Sequence, residues 1–169
     1  LRPDYYETRT WPASVAAHPI GSCKEQTSGE VYGAALAAAG FVVVAFDAGF
    51  QGSSGGEPRF IEDPTLRVED FRSVVDHLVT LPFVDETRVG VLGICGGGGY
   101  AINVAMTERR FRAVVSITGV NYGRLMREAF SGFDPIAALE AMAKQRTAEA
   151  RARPRLSPSP PKRRRPREP

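Results

Sequence analysis

A chain of 169 residues fits one domain, and an apolar content of 43% is enough to close a single core. No run approaches the roughly 18 consecutive apolar residues of a membrane helix, and the opening residues lack the basic, apolar and small-residue blocks of a signal peptide, so the expectation is a soluble, cytoplasmic protein with no membrane partner. The net charge of +3 divides unevenly: residues 151–169 hold eight of the 22 basic side chains and one acid, a local +7 against −4 for the rest, so no nucleic-acid partner is expected of the globular part.

In chain order, residues 12–18, centred on Ser14-Val15-Ala16-Ala17, form a short strand that Pro19 ends. Thr27 and Glu30 have the spacing of a capping box, and the alanine-rich stretch up to Gly40 predicts a helix from about Ser28 to Ala39. Phe41 to Phe46 is continuously apolar and β-branched at its centre, the pattern of a strand buried on both faces of a parallel sheet. Gly49 to Pro58 is a Gly/Ser-rich loop. Asp63-Pro64 supplies a cap and an N1 proline for a helix carrying Val68, Phe71, Val74, Val75, Leu78 and Val79. Arg88 to Gly93 is a second buried strand, Gly97 to Met106 a short helix, and Arg112 to Ile117 a further strand. Strands alternate with helices, which predicts an α/β fold with a parallel sheet of about four strands. Beyond it, Asn121-Tyr122-Gly123 turns into an amphipathic segment, Asp134-Pro135 opens a helix to about Ala150, and the Pro/Arg stretch to Pro169 is too polar to order itself. The organisation expected is a core over residues 12–150 and a disordered basic tail over 151–169.

Chemistry concentrates at Gly93-Ile94-Cys95-Gly96-Gly97, which has the spacing of a nucleophile elbow with cysteine at its centre. A strand precedes it and a helix follows, the context in which such a turn thrusts its central side chain above the sheet. Cys95 is therefore the candidate catalytic nucleophile. The Gly96 N–H is one candidate oxyanion donor and the loop after the first strand supplies the other; Pro19 has no N–H, so Ile20 or Gly21 is the donor expected. The second cysteine, Cys23, is read as a structural thiol, and two thiols without a secretory signal are expected to be reduced. His77 falls within an amphipathic helix, and Asp47 reads as a turn-forming carboxylate that bonds loop N–H groups. His18, Ser54 and Arg59 are candidate substrate-loop residues, with His18 weighed as a base and disfavoured because its loop mainly positions backbone. Nothing suggests a metal site or a cofactor.

Three stretches together, His18 to Gln26, Phe46-Asp47 with Gln51 to Arg59, and Gly93 to Tyr100, resemble bacterial α/β-hydrolases related to dienelactone hydrolase, over roughly residues 12–150. The resemblance implies a larger, mostly parallel sheet with the Phe41 and Arg112 strands at the edges of the portion present here. It also implies a Cys or Ser nucleophile in a triad with Asp and His, acting on esters, lactones or thioesters, hence a small acyl substrate. It carries Cys95 over as nucleophile, with Gly96 and Ile20 as oxyanion donors. The chain departs from that pattern. No histidine follows Cys95, and the only later aspartate, Asp134, reads as a helix cap. Three functions are therefore expected to compete: a hydrolase using Cys95, a truncated, catalytically inactive remnant lacking the triad Asp and His, and a binding protein acting through its basic tail. An exposed Phe41 edge would also offer a route to a homo-oligomer.

Overall fold

The computed structural model describes residues 9–128 and 134–152. The chain divides into two compact units, Leu1–Met126 and Arg127–Pro169. In the first, four strands form one sheet: β1 (Trp11–Ala17), β2 (Val42–Phe46), β3 (Val84–Ile94) and β4 (Phe111–Ile117). All neighbours are parallel and the spatial order is β2-β1-β3-β4. Parallel strands need crossovers, and helices supply them: α1 (Ala34–Ala38), α2 (Pro64–Leu78) and α3 (Gly96–Ala105). A short helix, α4 (Tyr122–Glu128), follows β4.

The central strand β1 is buried from Ala13 to Ala17 because it has a strand on each side and a layer on each face. On one face Ala13, Val15, Val89 and Val91 pack with Phe71, Val75 and Leu78 of α2 and with Tyr100, Ala101 and Val104 of α3. On the other, Ala16, Leu92 and Ile94 meet Tyr32 and Leu36. The β2 pattern differs from the sequence expectation, since only Val42 is buried and Val43 to Phe46 are half-exposed. The cause is position: β2 is an edge strand, paired on one side by β1 alone. β4 is the opposite edge, so both edges fall where the family resemblance puts them.

Two further boundaries move. The helix expected from Ser28 begins instead as a π-helical segment (Thr27–Gly33) that passes into α1. Thr27 lies inside it and caps nothing, and the Gln26 side chain at the cap position accepts the Ser22 hydroxyl instead. The wide turn is possible because Gly33 lacks a Cβ, which would stand 2.7 Å from the Ser28 carbonyl oxygen five residues earlier. β3 starts four residues before Arg88, at Val84, which pairs with Trp11 across a register shift; the polar run Asp85-Glu86-Thr87 hides that extension from a hydrophobic pattern. α2 starts as predicted, with Asp63 Oδ1 accepting the N–H groups of Thr65 (2.8 Å) and Leu66 (3.2 Å).

In the second unit, α5 (Pro135–Ala152) is capped by Asp134, whose Oδ1 accepts the N–H groups of Ile136 (2.9 Å) and Ala137 (3.1 Å). The tail expected to be disordered lies outside the described residues from 153 onward. No helix among the described residues is long and apolar enough to cross a membrane.

Candidate active site

The chain leaves β1 toward β2 on one side of it and leaves β3 toward β4 on the other, so the strand order reverses between β1 and β3. Open α/β sheets bind ligands at such a switch point, outside the carboxyl ends of the strands. Two segments meet there: Cys95, directly after Ile94, and His18 to Gly21, directly after Ala17.

Cys95 is the cap residue of α3 and has φ 54° and ψ −119°, a left-handed conformation that a side-chain-bearing residue adopts only under constraint. The constraints are visible. Its N–H donates to the Ile117 carbonyl (2.9 Å), and its own carbonyl accepts the N–H groups of Gly98 (3.0 Å), Gly99 (3.3 Å) and Val120 (3.0 Å). The turn tolerates nothing bulkier than glycine beside it: a Cβ on Gly93 would stand 2.2 Å from the Gly97 carbonyl oxygen, and one on Gly97 would stand 2.6 Å from that of His18. The thiol is free and half-buried. With Gly98 and Gly99 bonded back into the elbow, Gly96 and Gly97 supply the orphan donors of the helix start.

The second donor segment is a tight turn. Ser22 N–H donates to the Pro19 carbonyl (3.2 Å), and Gly21 takes φ 73°, the geometry in which a type II turn demands glycine at its third position. The Ile20 side chain lies over Gly96, where a Cβ would be 2.5 Å from its Cδ1. Ile20, Gly21, Gly96 and Cys95 are thus brought to one place.

Of the candidate substrate-loop residues, His18 is buried, whereas Ser54 and Arg59 are half-buried and bonded within their own loop. The His18 side chain is fully buried. Its Nε2 accepts the Ala48 N–H (3.2 Å) and lies 3.1 Å from Arg67 Nη1, which fixes the proton on Nδ1, where it is donated to the Pro19 carbonyl (2.7 Å). Burial is the largest influence on this ring and lowers its pKa, keeping it neutral. Ser54 and Arg59 hold their own loop together: Ser54 Oγ donates to the Asp47 carbonyl (2.7 Å), and Arg59 donates to the carbonyls of Ser54 and Gly52. His77 is exposed on α2.

Asp47 is the loop-organising carboxylate its position suggests. Its Oδ1 accepts the Lys24 N–H (2.8 Å), and its Oδ2 accepts Lys24 Nζ (2.7 Å) and the Ser53 N–H (2.8 Å). Burial alone would push this carboxyl up, but the Lys24 ammonium and the two N–H groups outweigh it and hold the group at about 2. Sequence reasoning missed Lys24 and, more consequentially, Arg67, a 3%-exposed guanidinium on α2. Its signal was present: Arg67 shares the buried stripe of Phe71, Val75 and Leu78, a charge where the helical period demands an apolar residue. A separate cleft of about 400 Å3 opens beside α3, lined by Pro64, Val68, Arg72, Asn103 and Tyr122 among others, and does not include Cys95. Among the described residues no cluster of His, Cys, Asp or Glu could hold a metal ion.

A parallel sheet with its switch point between the first and third strands, a strained nucleophile elbow capping a helix, and an adjoining donor turn define an α/β-hydrolase fold. The chain belongs to the prolyl oligopeptidase family (Peptidase_S9), whose model matches residues 26–164. It is 44% identical over 151 residues to the uncharacterized protein YcjY of Escherichia coli K12, covering 87% of this chain and 49% of that one. It is 32% identical over 109 residues to the thiohydrolase aneE of Aspergillus aculeatus, covering 63% of this chain and 33% of that one. The crystal structure of the hypothetical protein PA2218 from Pseudomonas aeruginosa superposes with a TM-score of 0.81 at 37% identity, over 88% of this chain and 47% of the other. The chain therefore spans about half the length, or less, of these relatives. The matches carry the hydrolase class without singling out the dienelactone branch.

Proposed function

We propose that this chain carries the nucleophile half of a hydrolase acting on carboxylic esters, lactones or thioesters, with Cys95 as the attacking group. The observation that supports this most directly is the left-handed backbone of Cys95 at the α3 cap, a strained conformation at the strand-to-helix turn whose next residue, Gly96, lies under the Ile20 side chain. In the reaction the sulfur, having given up its proton to solvent, attacks the carbonyl carbon as the thiolate. The oxygen gains the negative charge and is held by Gly96 and by Ile20 or Gly21. Collapse of this intermediate expels the alcohol or thiol, which takes up a proton, and leaves a thioester on Cys95. The thiohydrolase relative agrees with a thioester-type substrate.

A second reading, that this chain is catalytically inactive, is favoured by the histidines. Of the two in the sequence, His18 has both ring nitrogens engaged inside the protein and His77 lies exposed on α2, so neither is placed to serve Cys95. The two readings agree on acyl transfer to the sulfur and part only at its release.

Incubation with p-nitrophenyl acetate, followed by intact-mass measurement and peptide mapping, is expected to show one acetyl group on Cys95. The adduct should vanish in Cys95→Ala. Preferential acetylation of Cys23, or an adduct that survives Cys95→Ala, would overturn the assignment.

A further inference from the structure

Arg67 is an expensive residue to bury, and the molecule spends both of its terminal nitrogens on one neighbour. Nη2 donates to the His18 carbonyl (3.0 Å), and Nη1 lies 3.1 Å from His18 Nε2. Its Nε stands 3.3 Å from Glu62 Oε1, an ion pair without hydrogen-bond geometry, so Glu62 balances the charge while His18 takes the directed bonds. The guanidinium also lies 5.3 Å from the centre of the Tyr100 ring on α3. A fork of this kind fixes direction as well as distance, which a lysine could not do.

His18 passes the constraint on. Its Nδ1–H donates to the Pro19 carbonyl, the same oxygen that accepts the Ser22 N–H closing the turn around Ile20 and Gly21. The His18 carbonyl held by Arg67 is itself pressed against the first turn of α3, where a Cβ on Gly97 would be 2.6 Å away. One chain of contacts therefore runs from α2 through Arg67 and His18 to the turn whose Ile20 side chain lies over Gly96, next to Cys95.

We propose that Arg67 is a positioning residue for the oxyanion turn, acting through His18 to aim the Ile20 and Gly21 amides at the carbonyl oxygen of the substrate. The role of that turn rests on the function proposed above; the placement of the turn by Arg67 does not. Donors preorganised in this way stabilise charge that develops only in acyl transfer, whereas alkylation of the same sulfur builds no oxyanion. The ratio of the two rates at Cys95 thus isolates the turn from the general accessibility of the thiol.

The test compares the full-length chain with Arg67→Met, which keeps the alkyl packing, and with Arg67→Lys, which keeps the charge beside Glu62 but cannot hold both His18 atoms. Cys95 acetylation by p-nitrophenyl acetate and alkylation by iodoacetamide are followed by intact mass, and amide exchange is followed over residues 20–24. The expected result is acetylation slower by about tenfold or more in Arg67→Met, a smaller loss in Arg67→Lys, alkylation unchanged, and faster exchange confined to residues 20–24. Variants that acetylate and exchange like the parent overturn the proposal, as does acetylation falling in step with alkylation. Should Arg67→Met fail to fold, Arg67→Lys carries the same comparison. If the parent chain itself takes no acetyl group, the proposed function fails, and the exchange measurement alone then decides whether Arg67 holds the turn.

Discussion

At the scale of single residues the candidate site rests on groups bonded inside the protein. Strain of the kind held at Cys95 costs on the order of 1–3 kcal/mol and persists only where surrounding bonds over-determine it. His18 is one of the residues that tie down the neighbouring turn, and it does so as a neutral ring, with Arg67, Asp47 and Glu62 as the charged groups around it. Its pKa is depressed in the fold below the ordinary 6.5. Between 6.5 and the folded value the unfolded chain therefore binds a proton that the folded chain refuses, so the contribution of His18 to stability is complete above that window and is lost as pH falls through it. The thermal midpoint should drop as pH falls below about 6.5, and the drop should be shallower in His18→Asn, which cannot titrate but can still donate to Pro19. Asp70, a carboxyl that burial pushes up, titrates in both proteins and cancels from the difference. Identical pH profiles would mean that His18 is not held neutral.

At the scale of elements, the parts that could be read from sequence are those whose cause is local. The Asp63-Pro64 pair announces the start of α2 because a carboxylate cap and a proline at N1 need nothing beyond the adjacent turn. Replacing Asp63 with Ala should therefore lower stability by about 1 kcal/mol, seen as a modest fall in the thermal midpoint with the Cys95 alkylation rate unchanged; no fall would show that the two bonds from Thr65 and Leu66 contribute nothing. Cys95 was legible for a similar reason, since the glycines around it answer to a turn only a few residues long. What sequence did not reveal depends on contacts across the fold. Arg67 looks like any charged helical residue until α2 packs against the sheet and turns it inward onto His18, 49 positions away. The hydrogen bonds by which His18, Ser54 and Arg59 tie their loops together are likewise invisible in sequence, which shows only that these residues sit in or near those loops. The π-helical segment ahead of α1 was hidden because Thr27 and Glu30 imitate a capping box without forming one.

At the scale of the whole molecule, the proposed function asks the chain to form an acyl-enzyme on Cys95 with no histidine of its own placed to break it. The sheet presents the elbow, the adjoining turn and a half-buried thiol at a single switch point, and on the proposed function these serve one attack on a reactive ester. Release is a different demand, because water must lose a proton to a base as it attacks the thioester, and in triad enzymes a histidine aligned with the nucleophile performs that step. Here His18 is neutral, fully buried and bonded at both nitrogens, and His77 is exposed on α2. Loss of one triad member typically removes several orders of magnitude of rate, while oxyanion donors and binding retain an acceleration of roughly 10³ over water. With p-nitrophenyl acetate in excess, the release of p-nitrophenolate should therefore show a first phase approaching one equivalent per chain, followed by a steady rate near background. The first phase should disappear in Cys95→Ala while the slow rate barely changes. Sustained turnover above about 1 s⁻¹, the lower end of ordinary enzymes, that vanished with Cys95 would show that a base does reach the sulfur and would return attention to His18, the histidine adjoining the oxyanion turn.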